Sequence, residues 1–329
     1  MRNKSLKILE LKAYGKINLF LDVVGRRDDG YHFIRSKMQD IEIYDEIIFK
    51  RGTESSNNHC KFFNIELKFC MKNSTIPCDD DNLAIKGAKK VLEKINSNGA
   101  RLSKDLLSSA INIEINKKIP ISAGLAGGSA DAGVCMLGIN ELLGNPLSLE
   151  ELMSAGIEVG SDVPFSIMMN FEANKDRLTM TGEASKAGII SGVGEIVSHI
   201  NTEKYELILI NPGISVSTRR IYDEVDKRFL FKKEDYDSEK TSADIFLAQK
   251  NNKYNIMQAL TLDLYDEAKE IYDYMKRNLN ADMVMMSGSG PTMVAYYSDK
   301  EIADIDFIKA EREASEHEGW KVFRTVSGR

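Results

Sequence analysis

A glycine-rich loop that leads directly into an apolar helix limits what this chain can fold into more than any other feature. The stretch is KKIPISAGLAGGSADAGVCMLGINELLG, residues 117–144, and its loop part has glycines at positions 124, 127 and 128. Glycine lets backbone amides approach an anion closely, because no Cβ blocks the approach and positive φ costs little. We expect Ser129 to open the helix, so that its free N–H groups and positive dipole end face the same anion. The loop therefore predicts a phosphate site.

The residue pattern excludes two common phosphate loops. The loop lacks the Gly-x-x-x-x-Gly-Lys-Ser/Thr signature, whose lysine reaches the terminal phosphates of a nucleotide. It also lacks the dinucleotide fingerprint Gly-x-Gly-x-x-Gly, because Ala126 stands at the second glycine. From this loop alone, a helix that needs a tight turn and binds nothing stays open as an alternative.

Composition and charge narrow the class of protein. A length of 329 residues predicts two domains, and 43% apolar with 29% charged residues is typical of an ordered enzyme. The net charge of -6 gives no reason to expect nucleic acid as a partner. The four cysteines form no Cys-x-x-Cys pair, which argues against a structural zinc site. No apolar segment resembles a signal peptide or a membrane span, so we expect a cytoplasmic protein.

Hydrophobic periodicity predicts an α+β chain. In AYGKINLFLDVVG the apolar residues alternate, which predicts a half-buried strand with Lys16 and Asn18 on one face. Asn82 precedes residues with helical spacing, and SSAINIEINKKIP alternates as a strand. After residue 200 the pattern predicts a strand, a helix near 218, a helix over 263–279, two strands around a glycine turn, a helix over 300–318 and a last strand.

Three further motifs accompany the glycine loop. They are AYGKINLFL with its lysine, GSDVPFSI with Asp162, and SGSGPT at residues 287–292. In this order, with Pro-x-x-x-Gly-Leu-x-Gly-Gly-Ser between the first two, they resemble the GHMP kinases from about residue 13 to residue 294. The resemblance implies a two-domain α+β fold, with a ribosomal protein S5 domain 2-like ATP-binding domain at 1–170 and a ferredoxin-like substrate domain at 171–329. It places the active site in the cleft between the two domains.

The resemblance also implies the reaction. Within the family, GRRDDGYH and AGLAGGSADA are similar to the members that use ATP to phosphorylate the 2-hydroxyl of 4-diphosphocytidyl-2-C-methyl-D-erythritol, in the non-mevalonate route to isoprenoid precursors. Asp162 matches the aspartate that orients or deprotonates the acceptor hydroxyl, and Lys16 matches the lysine that stabilises the migrating phosphoryl charge. Without the resemblance, Asp162 is equally well a helix cap and Lys16 a solvated strand end.

Other residues are assigned to ligands by the same resemblance. Tyr31 and His32 match an aromatic face and an imidazole that hold cytosine, although a lone surface histidine is more often merely solvated. Asn18 and Thr218 match substrate contacts. The residues matching the nucleotide site are Asn82, Lys118, Pro120, Gly124, Leu125, Ala126, Gly127, Gly128 and Ser129. A helix cap for Asn82 and a solvated strand end for Lys118 are the alternatives.

The chain departs from the family pattern in two places. Ser129 is followed by Ala130 where many members have a second serine. We therefore expect Mg²⁺ to be held mainly by ATP phosphates and water, without a dedicated set of protein ligands. The residues around 171–187 form a longer connection than the family's usual hairpin.

Three rival functions are weighed against this one. Homoserine- and mevalonate-type kinases share the phosphate loop but lack the Gly-Tyr-His element. A non-catalytic binding protein of the same fold has no chemical need for both Lys16 and Asp162. A nicotinamide-dependent oxidoreductase requires the missing dinucleotide fingerprint. We expect ATP and a small-molecule acceptor as ligands, and a monomer or homodimer.

Overall fold

The computed structural model describes residues 7–52, 60–62, 65–73, 75–99, 102–103, 106, 110–228 and 253–328. The chain divides into two compact units, each drawn from separate parts of the sequence. The first comprises Met1–Tyr14, Tyr44–Ile119 and Gly127–Ser185, and the second comprises Gly15–Ile43, Pro120–Ala126 and Lys186–Arg329. The expected domain boundary at residue 170 stays a prediction.

The first unit contains a mixed β-sheet. Its strand bounds are β1 (Lys7–Arg26), β2 (His32–Gly52), β3 (Cys60–Phe62), β4 (Ile65–Lys72) and β5 (Ala110–Asn116), of which β1 and β2 continue into the second unit. Strand β5 pairs antiparallel with β2 and parallel with β4, and β3 pairs antiparallel with β4. Ile111, Ile113 and Ile115 are fully buried, which confirms the strand predicted from their alternation.

Helices pack on this sheet. Their bounds are α1 (Leu83–Ser97), α2 (Gly127–Leu142), α3 (Leu149–Gly156) and α4 (Val163–Ala173). Asn82 caps α1 by accepting a hydrogen bond from the Ala84 N–H at 3.0 Å, as its sequence position predicts. Every residue of α2 from Ala130 to Leu142 is buried. An apolar helix without a polar face is stable only inside a core, so α2 is the centre of this unit.

Glycines let α2 lie unusually close to its neighbours. A Cβ on Gly138 would come within 2.3 Å of the Phe49 ring, and one on Gly133 within 3.1 Å of the Ile167 amide nitrogen. A Cβ on Gly87 of α1 would come within 2.9 Å of the Ala132 carbonyl oxygen. These contacts fix the position of α2 against β2, α1 and α4.

The residues that follow α4 pack within the first unit. Asn174 accepts a hydrogen bond from the Lys12 N–H and donates one to the Lys12 carbonyl, both at 2.9 Å. Glu141 accepts bonds from both the amide and the hydroxyl of Thr179 at 2.8 Å. Leu178 and Met180 are buried. This connection is thus tied to β1 and α2, and its extra length relative to the family stays a prediction.

The second unit combines a sheet with helices. Its elements are β6 (Ala187–Ser191), β7 (Ile196–Ile200), β8 (Tyr205–Asn211), α5 (Thr218–Arg228), β9 (Tyr254–Asn255), α6 (Ile256–Leu264), α7 (Asp266–Asn278), β10 (Met283–Met286), β11 (Met293–Tyr297), α8 (Lys300–Ala314) and β12 (Lys321–Ser327). The strand order is β10-β11-β8-β12-β2, and β6 pairs with β2 and β7. Across the described ranges, no helix has both the length and the apolar character that a membrane crossing requires.

The helix predicted over 263–279 is confirmed as α7, although α7 begins three residues later, because the extended backbone of Tyr265, with φ of -135° and ψ of 100°, separates it from α6. One expectation about secondary structure was wrong. Strand β1 is not half-buried near its centre, because every residue from Gly15 to Leu21 has little exposure on either face. Alternation indicates which residues share a face, but it does not show that the polar face is also covered.

The close packing of α2 predicts the effect of a methyl group at its centre. Gly138→Ala should lower the free energy of unfolding by about 1–3 kcal/mol, because the new methyl overlaps the Phe49 ring. The matched control is Gly128→Ala on the same helix, where the new Cβ meets only Leu83 at 3.4 Å. Urea unfolding of both variants checks this, and equal stabilities would contradict it.

Candidate active site

Lys16 is held in a fixed position by its own strand and by the glycine loop. It is 3% exposed, and its Nζ donates to Asn18 Oδ1 at 2.7 Å and to the Gly124 carbonyl at 3.4 Å. Asn18 is 1% exposed and donates in turn to Ser36 Oγ at 2.8 Å. The solvated strand end that we considered for Lys16 is therefore wrong. A buried ammonium with defined partners is suited to stabilising a nearby anion.

Two glycine loops of the second unit pack against each other beside Lys16. Gly124 has a φ of +74°, and a Cβ there would lie 2.2 Å from the Ser287 carbonyl oxygen. Ser287 Oγ donates to the Gly124 carbonyl at 2.9 Å. A Cβ on Gly288 would lie 3.6 Å from Lys16 Nζ. The sequence indicated both loops and the lysine, but not that they are in contact.

Asn255 fixes the second glycine loop and was missed by the sequence analysis. Its Nδ2 donates to the carbonyls of Met286 and Gly288 at 2.9 and 2.8 Å. Its Oδ1 accepts from the Met257 amide at the start of α6. The only sequence signal was an asparagine before a helix, which is common at N-caps and does not by itself indicate a site.

Helix α2 begins earlier than predicted. Its first residue is Gly127 rather than Ser129, and positive φ occurs at Ser122, Gly124 and Ala126 instead of at Gly127 and Gly128. Gly127 is needed for space, because a Cβ there would come within 2.9 Å of Ile119 Cγ2. The first amides of α2 lack intrahelical acceptors and lie at the positive end of its dipole. We expect an anion at these amides, and this site stays a prediction.

Asp162 lies at the N-cap position of α4, and it is partly exposed. Its carboxylate accepts no capping hydrogen bond from that helix, whose first turn contains Pro164. The helix-cap alternative for Asp162 is therefore not supported by the geometry.

The side chain of His32 packs against one face of α5. Its ring stacks on Tyr222 with centroids 4.6 Å apart, and its Nε2 lies 2.7 Å from Asp226 Oδ1. The side chain of His32 is 7% exposed, so the solvated-surface alternative is wrong, whereas Tyr31 is 63% exposed. Arg26 also pairs with Asp226, at 3.0 Å. Tyr222 and Asp226 were missed, although their i, i+4 spacing places them on one helix face.

The three remaining predicted site residues differ in what their side chains contact. Thr218 opens α5, and its Oγ1 lies 2.8 Å from Ser289 Oγ in the second glycine loop. The side-chain oxygen of Asn82 caps α1 by accepting the Ala84 N–H. Lys118 is exposed and pairs with Glu46 at 2.7 Å. The nucleotide roles of Asn82 and Lys118 stay predictions.

Comparisons with known proteins decide the family. Residues 82–170 match the model of the GHMP kinases N terminal domain. A 4-diphosphocytidyl-2-C-methyl-D-erythritol kinase from Caldicellulosiruptor saccharolyticus is 32% identical over 88% of this chain and 88% of its own length. The enzyme of the same name from Clostridium beijerinckii is 32% identical over 88% of this chain and 91% of its own length. This chain belongs to the 4-diphosphocytidyl-2-C-methyl-D-erythritol kinase family.

Solved structures confirm the fold of this GHMP kinase. A crystal structure of 4-(cytidine 5'-diphospho)-2C-methyl-D-erythritol kinase matches with a TM-score of 0.67 and 23% identity, covering 98% of this chain and all of the other. Mevalonate kinase from L. major matches with a TM-score of 0.60 and 16% identity, covering 98% and 97%. At these identities the matches show the α+β GHMP kinase fold alone. Membership of a kinase family does not favour the oxidoreductase reading.

Ala126 in the phosphate loop of this GHMP kinase carries backbone strain that glycine would relieve. Its φ is +54°, a conformation that costs an alanine about 1 kcal/mol. Ala126→Gly should therefore raise the free energy of unfolding by up to about 1 kcal/mol. Ala123→Gly is the control, because Ala123 is buried in the same loop without positive φ and should become less stable. Chemical denaturation measures both, and a destabilised Ala126→Gly would contradict the strain.

Proposed function

We propose that this chain uses ATP to phosphorylate the 2-hydroxyl of 4-diphosphocytidyl-2-C-methyl-D-erythritol, giving the 2-phosphate and ADP in the non-mevalonate route to isoprenoid precursors. The observation that carries the proposal is the buried Lys16 ammonium, bonded to Asn18 and Gly124 where two glycine loops meet. Relatives named for this kinase, at 32% identity over most of the chain, support the acceptor. Cytoplasmic localisation and a monomer or homodimer stay predictions.

The phosphate loop fits the polyphosphate of ATP. The amides of Gly127, Gly128 and Ser129 open α2 and are the donors that an anion at a helix N-terminus uses. A side chain at Gly127 would fill the space beside Ile119. The loop thus binds and orients the phosphates through backbone groups, with Pro120, Leu125 and Ala126 shaping its path.

The donor set of the chain is compatible with Mg²⁺ bound mainly through ATP. No group of three or more His, Cys, Asp or Glu side chains among the described residues is arranged to hold a metal ion. Mg²⁺ usually keeps several waters and takes substrate phosphates with one or two protein oxygens. The Ser129 hydroxyl, in the first turn of α2, would supply such an oxygen. When bound, the ion neutralises charge on the transferred phosphoryl group.

Lys16 and Asp162 have separate chemical roles. Phosphoryl transfer depends mainly on positioning and charge stabilisation. The Lys16 ammonium stabilises negative charge on the migrating phosphoryl group, because its buried partners hold it without reorganisation. The Asp162 carboxylate orients the acceptor hydroxyl and receives its proton.

The pocket around His32 is suited to a cytosine ring. If the neutral imidazole donates its Nε2–H to Asp226, Nδ1 is left as an acceptor for an amino group such as that of cytosine. Tyr31 supplies an exposed aromatic face, and Tyr222 supports the imidazole by stacking. Thr218 supplies a hydroxyl to the acceptor sugar alcohol, and Asn18, which is bonded to Lys16 and Ser36, is the active-site hydrogen-bonding residue that holds Lys16.

The role of Asp162 predicts a specific loss of turnover. Asp162→Asn keeps the shape of the side chain but removes the base, so kcat should fall by about 100-fold or more while ATP affinity changes little. Asp176→Asn is the matched control, because Asp176 is an exposed carboxylate just beyond α4. Steady-state kinetics and ATP calorimetry measure these quantities. Near wild-type turnover would remove Asp162 from the chemistry.

The His32 pocket predicts a selective effect on the acceptor. His32→Ala should raise the KM for the cytidine substrate by about tenfold, the size expected for one lost hydrogen bond to a polar group, with little change in the KM for ATP. His199→Ala serves as control, because His199 lies exposed on β7. Equal increases in both KM values would argue against a cytosine contact.

A further inference from the structure

A buried charged network joins three elements of the first unit. Lys117 directly follows β5, and its ammonium contacts Asp45 of β2 and lies 2.6 Å from an oxygen of Asp131 in α2. All three side chains are at least 96% buried. Burying one ammonium with two carboxylates carries a large desolvation cost, which good geometry only partly offsets. The network therefore does not by itself stabilise the fold appreciably, and its presence is better explained by a positioning role.

The same network holds the residues that flank the phosphate loop. Asp45 Oδ1 accepts hydrogen bonds from the backbone amides of Lys118 and Ile119, the latter at 2.8 Å. A Cβ on Gly127 would come within 3.5 Å of Lys117 Nζ and 2.9 Å of Ile119 Cγ2. The last residue before the loop and the first residue after it are thus both fixed around this ammonium.

The charge state of the network suits an anion site. Burial raises the pKa of Asp131 to about 8, although Lys117 opposes the shift. Burial alone would lower the pKa of Lys117, but the two carboxylates outweigh it and raise that pKa. Asp131 Oδ1 has no hydrogen-bond partner among the described residues. With the Asp131 pKa raised, the network holds less negative charge at the start of α2 than two fully ionised carboxylates would, and so it repels phosphate less.

We propose that Lys117, Asp45 and Asp131 are positioning residues for the phosphate loop, and that breaking their network weakens ATP binding without weakening acceptor binding. This inference rests on the proposed function, in which the loop binds ATP. No sequence pattern predicted a role for Lys117, the buried lysine of the Lys117-Lys118 pair. A shift of a few tenths of an ångström at Gly127, which packs beside Lys117, displaces the first amides of α2 that bind the phosphates, so the effect falls on the nucleotide.

The test separates ATP binding from acceptor binding and from stability. Lys117→Met should raise the KM for ATP by about tenfold or more and change the KM for the acceptor by less than about twofold. Lys117→Arg keeps the charge and should restore part of the loss. Lys50→Met is the matched control, because Lys50 forms a solvent-exposed pair with Glu114 between the same two strands and should change neither KM.

A second pair of variants carries the test if Lys117→Met does not fold. Asp131→Leu removes the partner of Lys117 at similar volume, whereas Asp131→Asn keeps an acceptor, so the KM for ATP should rise more for the leucine variant. Lower thermal stability with both KM values unchanged would overturn the inference, as would equal increases in both.

Calorimetry with ATP alone distinguishes this inference from the proposed function. Wild-type protein that binds ATP without phosphorylating the acceptor overturns the proposed function, yet the variants' ATP affinities still decide this inference. Wild-type protein that does not bind ATP contradicts both.

Discussion

The approach of two backbones at Gly124 is the constraint on which the arrangement around Lys16 depends. At a φ of +74° and with the Ser287 carbonyl 2.2 Å from any Cβ, only glycine fits. This contact lets Gly124 present its carbonyl to both Ser287 Oγ and Lys16 Nζ. Asn255 then holds the second loop from its other side through two backbone carbonyls. The ammonium is therefore fixed by backbone groups that have little freedom to move.

Among the residues that the structure describes, each unit contains one buried lysine, and the surroundings of these two lysines differ. Lys117 is matched by two carboxylates and holds backbone in place. Lys16 is bonded to neutral oxygens of Asn18 and Gly124. The two carboxylates beside Lys117 largely offset the field of its ammonium, which suits a residue that holds backbone in place. These contacts support the proposed roles, which are positioning for Lys117 and charge stabilisation for Lys16.

Local patterns predicted most of the elements and part of the site. Alternation found β5, helical spacing with Asn82 found α1, and the glycine loop located the start of α2 within two residues. Local pattern could not show that both faces of β1 are covered, since that depends on distant segments. Tyr222, Asp226 and Asn255 were missed for the same reason, because His32 and the second glycine loop reach them only through folding. Gly127 was predicted for positive φ and for close approach of an anion; its φ is not positive, and the space left by its missing Cβ is next to Ile119.

The account is tested most directly by the acceptor that the purified chain phosphorylates. The measurement is ATP consumption with Mg²⁺ and 4-diphosphocytidyl-2-C-methyl-D-erythritol, beside homoserine, mevalonate and galactose at the same concentration. Mass spectrometry and phosphorus NMR then identify which hydroxyl carries the new phosphate. The account predicts turnover on the cytidine-linked alcohol alone, with the phosphate on the 2-hydroxyl. Turnover on another acceptor, or bound ATP without transfer to any of the four, would contradict it.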